Sequence, residues 1–136
     1  MPTLRHPEPS DAQLAALKSS TEAAPVVALN LNRYRERAAY PAGTPDADVS
    51  GRVAYLRYGI VALQAITHVG GRILWATEGR ELLIGCEHDA YDEVVAVWYP
   101  SRRAFASVEE FPGYREAFDV HRRAAIEHAT LLVCDA

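Results

Sequence analysis

The apolar positions of the chain are densest in residues 94–99, where β-branched and aromatic side chains form the uncharged run VVAVWY. Such a run is typical of a strand that is buried on both faces. Pro100 cannot donate to a sheet ladder, so the strand is predicted to end there. Ser101 can then accept a hydrogen bond as an N-cap, and the pattern predicts a central strand that leads into a helix.

A second strand is predicted in residues 26–34, where alternation places Val27 and the two leucines on one face and Asn30 and Asn32 on the other. Because asparagine is depleted in strands, two on one face indicate either a polar pocket or a cap at the end of the ladder. Arg33 begins an alternation with two further arginines, which fits either a solvated strand end or an anion site. The other predicted strands are residues 72–77, 81–85 and 130–134, the first two joined as a hairpin by residues 78–80.

Apolar positions at intervals of three and four predict two longer helices. The first spans residues 50–68, and the last begins near Pro112 and runs to about His128. A shorter helix, residues 101–108, follows the central strand. The stripe of the first long helix that is predicted to be buried consists of Val53, Leu56, Ile60, Leu63 and Thr67.

The order of these elements predicts an α+β fold. Residues 1–24 are interpreted as an N-terminal extension whose short helix begins with a capping box of Ser10 and Gln13. Residues 25–136 then read strand, helix, strand, strand, helix, strand, which is the ferredoxin-like split βαβ order: an antiparallel sheet with helices on one face. The other face would be uncovered and apolar, so a homodimer that buries sheet against sheet is expected.

Composition narrows the class of protein. A chain of 136 residues with 49% hydrophobic content fits one globular domain, and a net charge of −4 argues against a nucleic-acid partner. No stretch approaches the roughly 20 apolar residues of a membrane span, and no secretory signal pattern is present, so no membrane association is expected. Cys86 and Cys134 are too few for a disulfide framework, and a cytoplasmic location is predicted.

The last predicted helix carries the strongest candidate for chemistry. On a wheel of 3.6 residues per turn, His121 lies in the middle of the apolar face with Tyr114 and Phe118, whereas Arg122 and Arg123 fall on the polar face. An imidazole that faces a sheet has a pKa set by its surroundings and could exchange a proton near neutral pH. The alternative is a core histidine that is hydrogen-bonded to a backbone carbonyl or to a tyrosine or asparagine side chain.

Metal and cofactor chemistry are not predicted. His121 and His128 would be separated by about 10 Å of helix rise and could not share a zinc ion. No glycine-rich nucleotide motif and no nucleophile elbow occur, so neither a nucleotide cofactor nor a catalytic triad is supported. Trp75 and Trp98 lie on different predicted strands, where they could either pack in the core or floor a cavity between sheet and helices.

Five phrases of the sequence resemble a known family over nearly all of the chain from about Pro25. They are VVALNLNRYRERA at residues 26–38, SGRVAYLRYG at 50–59, VGGRILWA at 69–76, WYPSRRAF at 98–105 and HRRAA at 121–125. Together they resemble the family catalogued as domain of unknown function 1330, within the dimeric α+β barrel superfamily. The N-terminal helix is similar to an extension that some members carry.

The resemblance implies a ferredoxin-like subunit that pairs through its sheet into a barrel-like dimer. It implies no activity, because the family has none firmly assigned. Related barrel families include cofactor-independent monooxygenases, muconolactone isomerase-like proteins and haem-binding branches, which is analogy at the level of the fold. Asn32 stands where a more apolar residue is expected. The polar positions that match the family are Asn30, Arg33, Ser101, Arg102 and His121.

The sequence thus leads to a hypothesis of a homodimer that binds a small organic molecule, aromatic or carboxylated, between the sheet and the two main helices. His121 would exchange a proton in a cofactor-free isomerase, lyase or monooxygenase; whether the protein is an enzyme stays open. The alternatives are a non-catalytic binding or sensing module, in which the loop of residues 38–49 changes order on binding, and a purely structural dimer. The candidate ligand-binding residues are Asn30, Asn32, Arg33, Trp75, Trp98, Ser101 and Arg102.

Overall fold

A computed structural model describes residues 8–136, which form one antiparallel sheet with helices on one of its faces. The strands lie in the spatial order β2-β3-β1-β4. They are β1 (Val26–Tyr34), β2 (Arg72–Glu78), β3 (Glu93–Tyr99) and β4 (Ile126–Asp135). The helices that precede the last one are α1 (Asp11–Lys18), α2 (Gly51–His68) and α3 (Arg102–Ala106), and short 3₁₀ turns lie at Glu87–Asp89 and Ser107–Glu110.

The element order confirms the predicted α+β class. From β1 onward the chain reads strand, helix, strand, strand, helix, strand, and every neighbouring pair of strands is antiparallel. The core lies between the sheet and the helices: Ala28 and Val97 pack there with Tyr58 and Ala65 of α2. The helices therefore cover one face of the sheet, as the split βαβ order predicts.

The alternation predicted for β1 is confirmed. Ala28, Asn30 and Asn32 face the helices, and Val27 shares the opposite face with Trp98, its partner in β3. We call this opposite side, which no helix of residues 8–136 covers, the outer face of the sheet. One strand thus carries a polar pair inward and an apolar row outward.

The capping box at the N-terminus is also confirmed. The Ser10 hydroxyl accepts from the backbone N–H of Gln13 at 3.1 Å, and the Gln13 side chain accepts from the backbone N–H of Ser10 at 2.9 Å. α1 packs against α3, and Leu17 is buried. Residues 1–7 of the predicted extension lie outside the described residues.

The buried stripe predicted for α2 is wrong. Leu56, Ile60 and Leu63 are exposed, with 66% of Ile60 accessible to solvent. The helix instead turns small side chains to the sheet and buries Ala54, Ala62, Ala65, Tyr58 and Ile66. Alanines let a helix lie close to a sheet, so close approach rather than side-chain hydrophobicity decides which face is buried.

The hairpin predicted at residues 78–80 is wrong as well. Residues 81–85 form no strand, and β2 pairs directly with β3 across a connection of residues 79–92. Leu83 and Ile84 are exposed, and Gly85 has a φ of +144° that strand-forming side chains rarely adopt. The strand had been predicted from the run of three apolar residues at 82–84, and a run of this length does not distinguish a strand from an exposed loop.

The last helix contains a π-helical turn and ends earlier than predicted. It runs through α4 (Tyr114–Ala117), a π-helical segment (Phe118–Arg122) and α5 (Arg123–Ala125), and β4 begins at the next residue. His128, predicted to lie at the end of this helix, therefore lies in β4.

Backbone groups from the segment after β1 explain why the last helix ends at Ala125. The N–H groups of Ala39 and Arg35 donate to the carbonyls of Ala124 and Ala125, each at 2.8 Å. These carbonyls are among those that a helix end leaves without a partner in its own helix. The Gly51 N–H donates to the Arg35 carbonyl at 3.0 Å, so β1, α2 and α5 meet at one junction.

Candidate functional site

A cavity of about 320 Å³ lies between the helix-covered face of the sheet and the helices. β1 and β3 form its floor through Asn30 and Val95, and α2 contributes one wall, which includes Gly59. Leu14 and Leu17 of α1 form another wall. The cavity lies where the sequence predicted a pocket, and the N-terminal helix helps to enclose it.

Four tyrosines form a row of neighbouring rings that begins at Tyr34 in β1, and the other three line the cavity. Adjacent ring centroids are 5.1 Å apart for Tyr34 and Tyr55, 5.3 Å for Tyr55 and Tyr58, and 5.8 Å for Tyr58 and Tyr114. The hydroxyls of Tyr58 and Tyr114 are hydrogen-bonded to each other at 2.8 Å. Burial raises the pKa of Tyr55, Tyr58 and Tyr114, so these phenols stay protonated and can donate hydrogen bonds.

Arg122 brings a positive charge to the cavity wall. The residue is only 8% exposed, lines the cavity, and holds its guanidinium over the ring of Phe118, 4.7 Å from the centroid. Its charge opposes the burial effect and lowers the pKa of Tyr55, Tyr58 and Tyr114. A guanidinium remains protonated when buried, so the cavity contains a permanent cation beside neutral phenols.

The helical wheel had assigned Arg122 to the polar face, and this was wrong. In a π-helical turn each residue adds less rotation than in an α-helix, so the residues of Phe118–Arg122 are turned relative to the wheel. The turn brings Arg122 under the helix and His121 away from the cavity. The row Tyr114, Phe118 and Arg122, spaced by four residues, is the signal in the sequence that could have identified this face.

An ion-paired carboxylate, that of Glu93, lies at the start of the central strand β3. The Tyr34 hydroxyl donates to Oε1 of Glu93 at 2.5 Å, and Arg52 Nη2 lies 3.0 Å from Oε2 of the same side chain. Burial, followed by the hydrogen bond to Glu93, raises the pKa of Tyr34. The Arg52 guanidinium also lies over the Tyr34 ring, at 5.4 Å. Glu93 lines the cavity with its charge already compensated.

The two asparagines predicted to bind a ligand occupy different positions. Asn30 lines the cavity, and its amide nitrogen donates to the carbonyls of Ala28 at 3.2 Å and Val95 at 3.3 Å. Asn32 is 2% exposed, and its Nδ2 has no hydrogen-bond partner among residues 8–136. Its side chain opposes the rise in the pKa of Tyr34. Asn30 is therefore the asparagine that a ligand in the cavity would meet.

His121 does not lie in the cavity, and its predicted position is wrong. Its Nδ1 is 2.7 Å from the hydroxyl of Tyr40, in the loop after β1. Arg57 Nη1 donates to that hydroxyl at 3.3 Å, so the tyrosine proton is directed to a neutral imidazole. Burial, and then the charge of Arg57, lower the pKa of His121, while Glu116 raises it. The hydrogen bond to a tyrosine matches the partner expected in the alternative interpretation, but the ring is only partly buried and is not a core histidine.

Three of the remaining candidates lie on the outer face of the sheet. Trp75 is half-exposed there, and Trp98 lies under the guanidinium of Arg72, 5.0 Å from the ring centroid. Arg33 is paired with Glu127 at 2.9 Å, which matches the solvated strand end. The structure does not bring these three residues together with the cavity.

Ser101 and Arg102 have contacts outside the cavity. The Ser101 hydroxyl accepts from the backbone N–H of Ala104 at 3.0 Å, which confirms it as the N-cap of α3. Arg102 Nη1 lies 3.4 Å from the Ser20 hydroxyl and 3.9 Å from Glu22. Arg102 therefore ties α3 to the segment that follows α1.

Within residues 8–136, no group of three or more histidine, cysteine, aspartate or glutamate side chains could hold a metal ion. In the same part of the chain, no helix combines the length and the apolarity that crossing a bilayer requires. The donor groups around the cavity are phenols, amides, carboxylates and guanidinium groups, which suit an organic ligand.

The fold and the cavity define a class: an α+β protein with an antiparallel sheet and, between the sheet and its helices, a largely apolar cavity that contains a few polar groups. No family model and no curated protein matches the chain, so the resemblance to domain of unknown function 1330 stays a prediction. The crystal structure of methylated RPA0582 protein is similar, with 33% identity, a TM-score of 0.86, and coverage of 98% of this chain and 96% of that one. A second crystal structure, of the RPA0582 protein of unknown function from Rhodopseudomonas palustris, has 33% identity, a TM-score of 0.84, and 96% coverage of both chains. The chain belongs to the family of the RPA0582 protein.

Proposed function

We propose that the protein binds a small, largely apolar organic molecule in the cavity between sheet and helices. The observation that carries this proposal is the combination of an apolar space of about 320 Å³ with a few convergent polar groups, Arg122 and the Tyr58–Tyr114 hydroxyl pair among them. Small-molecule sites have this composition: mostly apolar walls and a small number of placed polar groups. At about 30 Å³ for each water-sized group, the space accommodates a ligand of roughly ten non-hydrogen atoms.

The N-terminal extension is part of this site. Leu14 and Leu17 of α1 line the cavity, and the ion pair between Lys18 and Glu109 joins α1 to the turn after α3. We propose that residues 25–136 form the domain and that α1 covers its ligand. Removing residues 1–24 should therefore lower the affinity for the ligand, whereas residues 25–136 should still fold.

A cavity-filling variant tests the proposal. Gly59 lines the cavity, and a Cβ at this position would meet no atom within 4 Å, so Gly59→Phe can place a ring in the space without a backbone clash. Ile60→Phe is the matched control, because Ile60 is the next residue of α2 and is 66% exposed. A library of molecules of about ten non-hydrogen atoms would be screened by ligand-observed NMR, and hits would be measured by calorimetry.

Gly59→Phe should abolish binding of the hits, and Ile60→Phe should leave it unchanged. Equal binding by the parent protein and by a folded Gly59→Phe variant would place the ligand elsewhere and reject the cavity as the site.

The position of His121 favours the non-catalytic version of this function. Its imidazole is bonded to Tyr40 under the loop and takes no part in the cavity wall. His121→Ala should therefore leave the affinity for a cavity ligand within about twofold of the parent value, which is below about 0.5 kcal/mol. A large loss of affinity would instead favour a site that includes the imidazole.

We also propose that two subunits pair through the outer face of the sheet. Trp75 and Leu132 are 49% and 52% exposed there, next to the apolar row of β1. An exposed apolar sheet face of this kind marks an interaction surface.

Both cysteines are free, which supports the cytoplasmic location that the sequence predicts.

The test of the dimer compares two glutamate substitutions by light scattering after size exclusion. Leu132→Glu places a charge on the outer face, and Ile60→Glu places the same charge on the exposed side of α2. The first should give monomers and the second dimers. A dimer that survives Leu132→Glu and dissociates with Ile60→Glu would locate the interface on α2.

A further inference from the structure

We propose that the ligand of the cavity presents a neutral carbonyl oxygen, as a ketone or ester of an apolar molecule does, and that the Tyr99 hydroxyl donates a hydrogen bond to it. This inference rests on the proposed function and names the chemical class of the ligand. Tyr99 is the last residue of the central strand β3, is 4% exposed and lines the cavity. The sheet thus places a phenol in the cavity wall.

The Tyr99 hydroxyl has no hydrogen-bond partner in residues 8–136. The Tyr99 ring is stacked on Phe105, with 4.8 Å between the centroids, which holds the side chain in place. A buried hydroxyl is normally hydrogen-bonded, because an unpaired donor keeps its full desolvation cost. The hydroxyl therefore lacks an acceptor that a ligand can supply.

This hydroxyl is open to the cavity and is not sealed in the core. In the part of the chain that the structure describes, the fully enclosed side-chain atoms without a hydrogen bond are Asn32 Nδ2 and Asp119 Oδ1, and the Tyr99 oxygen is not among them. Burial, and then the phenols of Tyr114 and Tyr55, raise the pKa of Tyr99, so it meets a ligand in its protonated form. Buried donors without a partner are rarer than buried acceptors with an unused lone pair, so the missing group is an acceptor.

The Tyr58–Tyr114 pair supplies a second donor to the same cavity. Its oxygens are 2.8 Å apart and only one of the two protons lies between them, so the other proton remains for a further acceptor. The effect of Tyr114 on the pKa of Tyr99 shows that these phenols lie within electrostatic reach of each other. A carbonyl oxygen has two lone pairs and brings no proton of its own, which matches a wall that offers donors.

The charged side chains of the wall give no preference for an ionic ligand, because they already have partners. Asp11 is exposed to solvent, and Arg122 has contacts of its own. A neutral head group is therefore the one that this wall accommodates without separating a pair. The ion pairs of the lining residues are Glu93–Arg52, Glu8–Arg123 and Arg115–Asp119, each at 3.0 Å, and Glu109–Lys18.

The test is a cycle of two ligands and two proteins. Acetophenone and isopropylbenzene have the same shape, and only acetophenone has a carbonyl oxygen. Ligand-observed NMR titrations would measure the affinity of each for the parent protein and for Tyr99→Phe, which removes the hydroxyl and keeps the ring. Because the two ligands differ in hydrophobicity, the informative quantity is the change that the substitution causes for each ligand.

Tyr99→Phe should weaken the binding of acetophenone by about 3- to 10-fold, the range for one net hydrogen bond, and should leave that of isopropylbenzene within about twofold. Tyr40→Phe is the matched control, because it removes a hydroxyl that is bonded to His121 and does not line the cavity. It should change the affinity of neither ligand. Without ligand, Tyr99→Phe should unfold at the Tm of the parent or above it, since no hydrogen bond of the protein is lost.

The same loss for both ligands, or no loss for acetophenone, would overturn the inference and leave the cavity as a site for molecules without a carbonyl group. A lower Tm of ligand-free Tyr99→Phe would contradict it as well, because the hydroxyl would then be bonded within the protein. Failure of acetophenone to bind the parent protein would also reject it. The proposed function is tested separately, by the loss of any library ligand in Gly59→Phe, so the two failures are distinguishable.

Discussion

Two glycines of α2 should respond in opposite ways to replacement by alanine. Gly51 lies at the junction of β1, α2 and α5, where a Cβ would be 2.3 Å from the carbonyl oxygen of Arg35 and 2.7 Å from that of Ala125. Gly59 lies two turns further along the same helix, where a Cβ would meet no atom within 4 Å. The same added methyl group therefore meets backbone at one site and empty space at the other.

The expected magnitudes come from different physical terms. Gly59→Ala replaces a poor helix former by the best one and should stabilise the protein by about 0.8–1 kcal/mol. Gly51→Ala must displace backbone atoms, and overpacking of this kind costs about 1–3 kcal/mol. The Gly51–Arg35 and Arg35–Ala125 backbone hydrogen bonds lie at the same place, so a shift there weakens them as well. We expect Gly51→Ala to lose about 2 kcal/mol or more.

Thermal and urea unfolding at one fixed protein concentration would measure both effects, since the Tm of a dimer depends on concentration. For 136 residues, an unfolding entropy of about 2.1 cal/mol/K per residue converts 1 kcal/mol into about 3.5 °C. Gly59→Ala should raise the Tm by about 3 °C, and Gly51→Ala should lower it by about 7 °C. A Gly51→Ala variant as stable as the parent would refute the reasoning, because the close backbone contact could not then exist.

Two further predictions concern titration and a buried hydroxyl pair. Because the folded state lowers the pKa of His121 from its ordinary 6.5, the stability that its neutral form contributes is present above that pH and is lost as the pH falls below it. His121→Gln should flatten the fall of Tm between about pH 6.5 and 5, and an unchanged slope would contradict this assignment. Tyr58→Phe leaves the Tyr114 hydroxyl without its partner and should cost about 1–2 kcal/mol in urea unfolding. The double change to phenylalanine should recover most of that loss, and strictly additive losses would count against coupling of the two hydroxyls.

The parts of the fold that the sequence predicted are those that depend on local rules. Alternation placed Asn30 and Asn32 on the helix-covered face of β1 because the side-chain period of a strand is two. Ser10 and Ser101 were identified as caps because a helix start needs side-chain acceptors for its free N–H groups. These signals lie within a few residues of the structure that they determine.

The parts that the sequence did not predict depend on contacts between distant segments. The apolar stripe with Ile60 has the stronger hydrophobic pattern, yet packing against the sheet selected the alanine face of α2. A wheel of regular period could not show that a π-helical turn exchanges the positions of His121 and Arg122. The cavity itself is built from residues of α1, α2, the sheet and the last helix, which only the tertiary structure brings together.

Residues 36–50 form a loop whose two ends lie close together, because the Gly51 N–H donates to the Arg35 carbonyl. The Arg35 N–H donates to the Ala125 carbonyl and the Arg35 carbonyl accepts from the Gly51 N–H, so both ends of this stretch are held at one junction. Doubling the length of such an excursion costs only about 0.6 kcal/mol of closure entropy. Relatives could lengthen, shorten or rewrite this stretch, together with the Tyr40 contact it carries, without replacing any residue that lines the cavity, since none of the lining residues lies within 36–50.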